Sequence, residues 1–210
     1  MLRRQIALGA IATLLVGCTA DKSAPTAFEV RVPLYAMGAN ADFILGTHMT
    51  GAEEVFSPAT PTSPTPADSK AQGEAIFRVS GDGSTVDFRL IASNIDNVIM
   101  SHIHCGRPRE NGPISMWLYP VIGTSGAPAR AGAGAQNGVL ASGTFSTSTE
   151  AGPVMCPASA VGTQMSLLEA MRAGLTYVNV HTNDGVAPAN TGPGDFPGGE
   201  IRGQLDDQNN

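Results

Sequence analysis

Apolar and polar residues alternate along several short stretches of the chain, which is the pattern of β-strands with one buried face. The clearest stretches are residues 73–80 and 85–92, where Phe77 and Phe88 belong to the apolar positions. Between them, Ser80-Gly-Asp-Gly-Ser84 has the composition of a tight turn. This pattern predicts a β-hairpin with one face in a hydrophobic core.

The same alternation predicts further strands, and it predicts only one helix. The strands are expected at residues 28–35, 43–49, 97–106, 114–121, 139–146, 176–182 and 200–205. The helix, residues 166–173, begins with a capping box formed by Ser166 and Glu169 and ends at Gly174. Many short strands separated by turns indicate an all-β fold, an antiparallel Greek-key-like β-sandwich or barrel with one short helix.

Three histidines share one face of the predicted sheet if their two strands are neighbours. His102 and His104 point the same way in one strand, opposite to Ile103, because strand side chains alternate between faces. His181 closes another strand, in which it points away from Val178. If the apolar residues face the core, the three imidazoles converge on the polar face.

Three neutral imidazoles with an open fourth position are a ligand set for copper or zinc. We place Glu200, Arg202 and Asn179 around this site, where the carboxylate of Glu200 can orient an imidazole. The alternative is a structural role, in which the imidazoles donate hydrogen bonds to loop carbonyls. His48 does not share the pattern and is predicted to be a surface residue.

Residues 1–17 have the features of a bacterial lipoprotein signal peptide. Arg3 and Arg4 precede an apolar run that is too short to span a bilayer as a mature helix. Leu15-Val16-Gly17-Cys18 has the form of a lipobox, so we expect Cys18 to be acylated and to hold the protein on the cell envelope. Thr19 after the cysteine favours the outer membrane. An ordinary signal peptide that contains a cysteine is the alternative.

The domain organisation follows from this reading. Residues 18–41 are expected to be a tether and N-terminal extension, residues 42–206 one domain, and residues 207–210 a tail. Removal of the signal peptide takes away two arginines and no acid, which changes the net charge from −6 to −8. Such a surface repels nucleic acid and anionic lipid headgroups, so neither is an expected partner.

The cysteines are expected to form one disulfide. With Cys18 lipidated, Cys105 and Cys156 remain as a pair in an oxidising compartment. The alternative makes Cys105 a metal ligand beside His104. Strand alternation argues against that alternative, because it places the two residues on opposite faces.

Several blocks of the sequence occur in the order found in one family. They are Leu45–Val55, Gly73–Phe77, His102–His104 with Gly112-Pro113, and Tyr177–Thr182 with Gly198–Leu205. Over roughly residues 42–206 the chain resembles the CHRD domain, a module named after its repeats in chordin. The resemblance implies an all-β extracytoplasmic domain and implies little about activity. The paired cysteines and the long Gly/Ala-rich loop at 123–138 depart from the plainest family pattern.

The sequence favours a non-catalytic function. It has no nucleophile elbow, no phosphate-binding glycine loop, no HExxH motif and no glycosidase-like carboxylate pair. Our leading hypothesis is a membrane-tethered, extracytoplasmic module that binds a protein or matrix partner and carries a histidine metal site. The alternative is a copper-dependent redox protein resembling superoxide dismutase, with Arg202 as a cationic guide for an anionic substrate, or a periplasmic protein that binds copper or zinc.

Overall fold

The computed structural model describes residues 41–56 and 64–207. The predicted signal peptide, Cys18 and the strand predicted at residues 28–35 lie outside the described residues. All described residues belong to one unit, Met37–Asn210. None of the helices in these described ranges is long and apolar enough to cross a membrane.

The secondary structure is almost entirely β, as the alternation predicts. In chain order the elements are β1 (Ala41–Thr50), β2 (Gln72–Ser80), β3 (Thr85–Asp96), β4 (Val98–Cys105), β5 (Ile114–Tyr119), β6 (Ala135–Ser146), β7 (Ser148–Thr149), β8 (Gly152–Pro153), β9 (Met155–Cys156), α1 (Ala158–Val161), β10 (Met165–Ser166), α2 (Leu167–Arg172), β11 (Thr176–Thr182), β12 (Ile201–Gln204) and β13 (Asp206–Asp207). Short 3-10 turns follow β1, at Gly51–Glu53, and precede β2, at Pro66–Asp68.

The long strands form one antiparallel sheet in the order β5-β4-β11-β12-β1-β2-β3-β6, and β13 adds to β1. The first and last strands of this order approach each other. Ile122, just after β5, packs so closely on Gly143 of β6 that a side chain at Gly143 would overlap it. The sheet is therefore nearly closed, which confirms the all-β antiparallel prediction.

The hydrophobic core lies inside this sheet. The β2–β3 hairpin contributes Phe77 and Phe88, whose ring centroids are 6.2 Å apart, and Phe145 of β6 contacts both rings. The apolar face of each hairpin strand is buried, while its polar face is exposed or half-buried. This confirms the hairpin and its direction.

The segment between β6 and β11 closes the core under β4. The predicted helix is present as α2, and Ser166 and Glu169 form its capping box. Leu167 and Met171 of this helix are fully buried in the core. A second helix, α1, and the four two-residue strands of this segment were not predicted, because segments of two to four residues are too short for a periodic pattern.

The disulfide joins this segment to the sheet. Cys105 at the end of β4 and Cys156 in β9 are bonded, with their Cα atoms 5.5 Å apart. Both side chains lie in the hydrophobic core. The structure therefore confirms the predicted pairing and places Cys105 on the face opposite to the histidines.

Candidate metal centre

The two strands that carry the histidines are direct neighbours in the sheet. β4 and β11 pair antiparallel, with His102 opposite Asn179 and His104 opposite Tyr177. His181 lies two residues after Asn179 and therefore on the same face of β11. Because opposite residues of an antiparallel pair share a face, the structure brings the three imidazoles together as the sequence predicts.

Loops cover this outer face of the sheet, so it is buried. The exposed fractions of His102, His104 and His181 are 0%, 8% and 6%. The loop after β4 places the carbonyl oxygen of Gly112 2.8 Å from Nδ1 of His104. The loop before β12 places the carbonyl oxygen of Pro197 2.9 Å from Nδ1 of His181. These strands consequently have a core on one side and a polar layer on the other.

The imidazoles are close enough to share one ion. One nitrogen of each ring lies within 4.8 Å of the nitrogens of the other two. Zinc binds imidazole nitrogen at about 2.0–2.1 Å, which places tetrahedral ligands about 3.4 Å apart. Side-chain rotations that shorten these separations would bring the nitrogens to one ion. The His102 ring is central, because its centroid is 5.4 Å from that of His104 and 5.1 Å from that of His181.

Burial keeps the three imidazoles neutral. It lowers the pKa of His102 to about 3 and the pKa values of His104 and His181 to about 4. The cause is the loss of hydration of the charged imidazolium. The neighbouring imidazoles lower the pKa of His102 further, and the Arg202 guanidinium lowers that of His104. Neutral imidazole is the form that binds metal ions.

The hydrogen bonds show which nitrogens are free. A carbonyl oxygen only accepts, so Nδ1 of His104 and Nδ1 of His181 carry the hydrogen and each Nε2 carries a lone pair. Among the described residues, Nε2 of His104 and both nitrogens of His102 are buried without a hydrogen-bond partner. Such unpaired buried groups are unfavourable. A bound cation would satisfy lone pairs that the protein leaves unpaired.

Arg202 holds the covering loop in place. It is 2% exposed, and its Cζ lies 3.4 Å from the ring centroid of Tyr177, whose ring is stacked on that of His104. The guanidinium donates hydrogen bonds to the loop after β4, at the carbonyl oxygens of Arg107 and Glu110 and the side chain of Asn111. A cationic guide for a dissolved anion must be accessible to solvent, so the position of Arg202 does not support that expected role.

Glu200 does not orient an imidazole, contrary to the expectation from the sequence. Its carboxylate accepts hydrogen bonds from the hydroxyls of Ser69 and Thr182 and from the backbone N–H of Gly194. Thr182 follows His181 at the point where the pairing of β4 and β11 shifts register, so alternation does not fix its direction. β12 begins only at Ile201, so the strand alternation does not extend to Glu200. This carboxylate stabilises the loop before β12 instead.

Asn179 is at the site, as expected, and Glu54 joins it. Oδ1 of Asn179 lies 3.0 Å from Nε2 of His181. Oε1 of Glu54 accepts a hydrogen bond from the backbone N–H of Val55, while its Oε2 is buried without a hydrogen-bond partner. Burial raises the pKa of Glu54 to about 7, and the Arg202 guanidinium and the Asn179 amide oppose this rise.

The alternation did not indicate Glu54, because it follows a 3-10 turn rather than lying in a strand. Its place in the block Leu45–Val55 was the one signal in the sequence. His48, by contrast, is exposed and pairs with Glu74 at 2.6 Å, as expected of a surface residue. The three histidines that lie together in the structure, His102, His104 and His181, are therefore the three that the strand pattern indicates.

Comparison with family models matches residues 45–205 to the CHRD domain. The matched range contains every residue of the candidate centre and both cysteines of the disulfide. No curated protein and no solved structure matches the chain.

Proposed function

The chain belongs to the CHRD domain family, and we propose that its domain binds one divalent transition-metal ion, zinc or copper, through His102, His104 and His181. The observation that carries the proposal is the convergence of three buried imidazole nitrogens within 4.8 Å. Nitrogen ligands suit both metals, and no free thiol competes for them among the described residues, because Cys105 is bonded to Cys156.

A purely structural role explains the histidines less well. Hydrogen bonds to loop carbonyls account for one nitrogen of His104 and one of His181. They do not account for His102, which is fully buried with two unpartnered nitrogens. An apolar side chain at this position would avoid that cost. A role as a metal ligand explains why a histidine occupies position 102.

Metal analysis of the full chain tests this proposal. After exposure to zinc or copper and removal of excess ion, we expect about one ion per chain. His102→Ala, His104→Ala and His181→Ala should each reduce the bound metal strongly, whereas His48→Ala, the matched surface control, should not. A stoichiometry near zero in the unmutated chain would overturn the proposal.

We also propose that the domain acts as a non-catalytic module tethered to the cell envelope and presented to a protein or matrix partner. The lipobox that ends at Cys18 supports the tether. The covered metal centre supports a non-catalytic role, since its histidines are at most 8% exposed. Cys18→Ala should move the protein from the membrane fraction to the soluble fraction, and an unchanged distribution would contradict the tether.

A further inference from the structure

Asn179 lies where a fourth ligand of the proposed ion is needed. We propose that its side-chain oxygen completes the site, so that the ion has four protein ligands and no exchangeable position. This inference rests on the metal binding proposed above and specifies its class. Structural metal sites are closed in this way, whereas catalytic sites keep one position for water or substrate. The centre is therefore a structural one that holds the loops on the sheet.

The first argument is a conflict at His181. Nδ1 lies 2.9 Å from the carbonyl oxygen of Pro197, and Nε2 lies 3.0 Å from Oδ1 of Asn179. Both oxygens only accept hydrogen bonds, but a neutral imidazole carries a single N–H. One of the two contacts therefore sets two lone pairs against each other, which is unfavourable in a buried site. A cation bound by both Nε2 and Oδ1 removes the conflict, because both lone pairs then become ligands.

The second argument is the separation of these two atoms. At metal–ligand distances of about 2.1 Å, two ligands of one tetrahedral ion lie about 3.4 Å apart. Nε2 of His181 and Oδ1 of Asn179 are 3.0 Å apart, so a slight separation of the two side chains brings both atoms to that distance. Asn179 is also opposite His102 in the strand pairing and close enough to His104 to influence its pKa. The amide is thus central among the three imidazoles.

The third argument is that Glu54 decides which end of the amide faces the histidines. The two ends of an amide have nearly the same shape, so its neighbours determine its orientation. The amide lowers the pKa of Glu54, which is the effect of an N–H donor on a carboxylate. This agrees with the position of Oδ1 on the histidine side, 3.0 Å from Nε2 of His181. A flipped amide would set its oxygen against the carboxylate.

Gly199 keeps this carboxylate in place. Its φ is +132°, and a β-carbon there would overlap Oε2 of Glu54. Glycine is the residue that adopts such a φ readily and allows so close an approach. The loop before β12 therefore closes directly on the Glu54 carboxylate.

Azide binding to the cobalt-loaded full chain tests whether the site is closed. Co²⁺ substitutes for zinc and has a visible spectrum that changes when an added anion becomes a ligand. We expect azide to leave the spectrum of the unmutated chain unchanged and to shift that of Asn179→Ala, in which one position is open. Asn183→Ala, at an asparagine whose side chain instead binds the N–H of Gly185, is the control and should behave like the unmutated chain. An azide-induced shift in the unmutated chain would overturn the inference.

Zinc affinity, measured by competition with a chelator, gives an independent test. Loss of a residue that orients a ligand lowers metal affinity by about 10- to 100-fold. We therefore expect Glu54→Gln to lower the zinc affinity by an amount in this range. Asn179→Ala should lower it by about 100-fold or more. Asn179→Asp keeps an oxygen at this position and should retain zinc binding. This variant provides the comparison if Asn179→Ala does not fold. An unchanged zinc affinity in Asn179→Ala would overturn only the inference that Asn179 is the fourth ligand. Absence of zinc from the unmutated chain would instead overturn the proposed function.

Discussion

The β2–β3 hairpin and the β4–β11 pair belong to one sheet but are buried in different ways. In the hairpin, buried positions alternate with exposed or half-buried ones. In β11 every residue is buried, and in β4 only one is not. The hairpin has a core on one side only. The other pair has a core on one side and a layer of loops on the other.

This difference shows where the protein places groups that are unfavourable to bury. The hairpin leaves its polar side chains in water, where they need no internal partner. The β4–β11 pair encloses three imidazoles and an amide under backbone carbonyls. Burying polar groups in this manner costs free energy unless they find partners. The stability of this outer layer is therefore expected to depend on the protonation of its buried groups as well as on packing.

The largest effect that separates the two regions should be acid destabilisation of the metal-free chain. Unfolded histidine titrates near pH 6.5, whereas the pKa values of His104 and His181 are lowered to about 4 in the folded chain. Between these values the unfolded state binds more protons, so stability present above about pH 6.5 is lost as the pH falls toward 4. We expect a loss of about 2 kcal/mol for each of these two histidines between pH 7 and pH 4.5.

Urea unfolding of EDTA-treated chain at several pH values measures this effect. The raised pKa of Glu54 acts in the opposite direction, because its contribution is present below about pH 4.5 and is lost as the pH rises through 7. The double variant His104→Gln, His181→Gln should show a flatter dependence on pH. Equal slopes for the variant and the unmutated chain would show that these histidines are not the cause.

A substitution in the hairpin core should destabilise the chain at every pH. Phe77 is fully buried and contacts two other phenylalanine rings, so Phe77→Ala should lower the free energy of unfolding by about 3 to 5 kcal/mol. His48→Ala, on the outer side of the neighbouring strand, should change it by less than about 0.5 kcal/mol. Chemical denaturation at pH 7 and at pH 5 should give the same difference for Phe77→Ala.

Removal of the disulfide tests the inner side of β4. The bond closes a loop with a sequence separation of 51 residues, and its loss should cost roughly 2 to 4 kcal/mol. Cys105→Ser with Cys156→Ser, compared with the unmutated chain by thermal unfolding, measures this cost. Because both cysteines lie on the core side, zinc binding by the folded double variant should be retained. If the folded double variant no longer bound zinc, the core side of β4 and its histidine side would not be independent of each other.

The smallest of these effects should come from Arg202. Lysine cannot reproduce the flat guanidinium that stacks on Tyr177 and reaches two carbonyl oxygens. Arg202→Lys should therefore cost about 1.5 to 3 kcal/mol, the value of hydrogen bonds to a charged group. Arg107→Lys, at an exposed arginine in the same covering loop, should be close to neutral. Similar values for both variants would mean that Arg202 does not fix the loop.

Much of the candidate site could be predicted from the sequence because face parity is a local property. His102 and His104 share a face for the same geometric reason that Phe77 lies in the core. Glu54 and the true contacts of Glu200 could not be predicted in this way. Both lie beside strands rather than in them, where the alternation gives no information about direction.

The sequence by itself determined the long strands of the described residues, the helix cap, the cysteine pair and, within each strand, the face on which its histidines lie. Only the tertiary structure decided that β4 and β11 are neighbours, with Asn179 opposite His102. It also decided that the carbonyls of Gly112 and Pro197 cover the imidazoles and bury them. The physical reason is that alternation is imposed by each strand alone, whereas register, loop cover and burial depend on contacts between residues far apart in the chain.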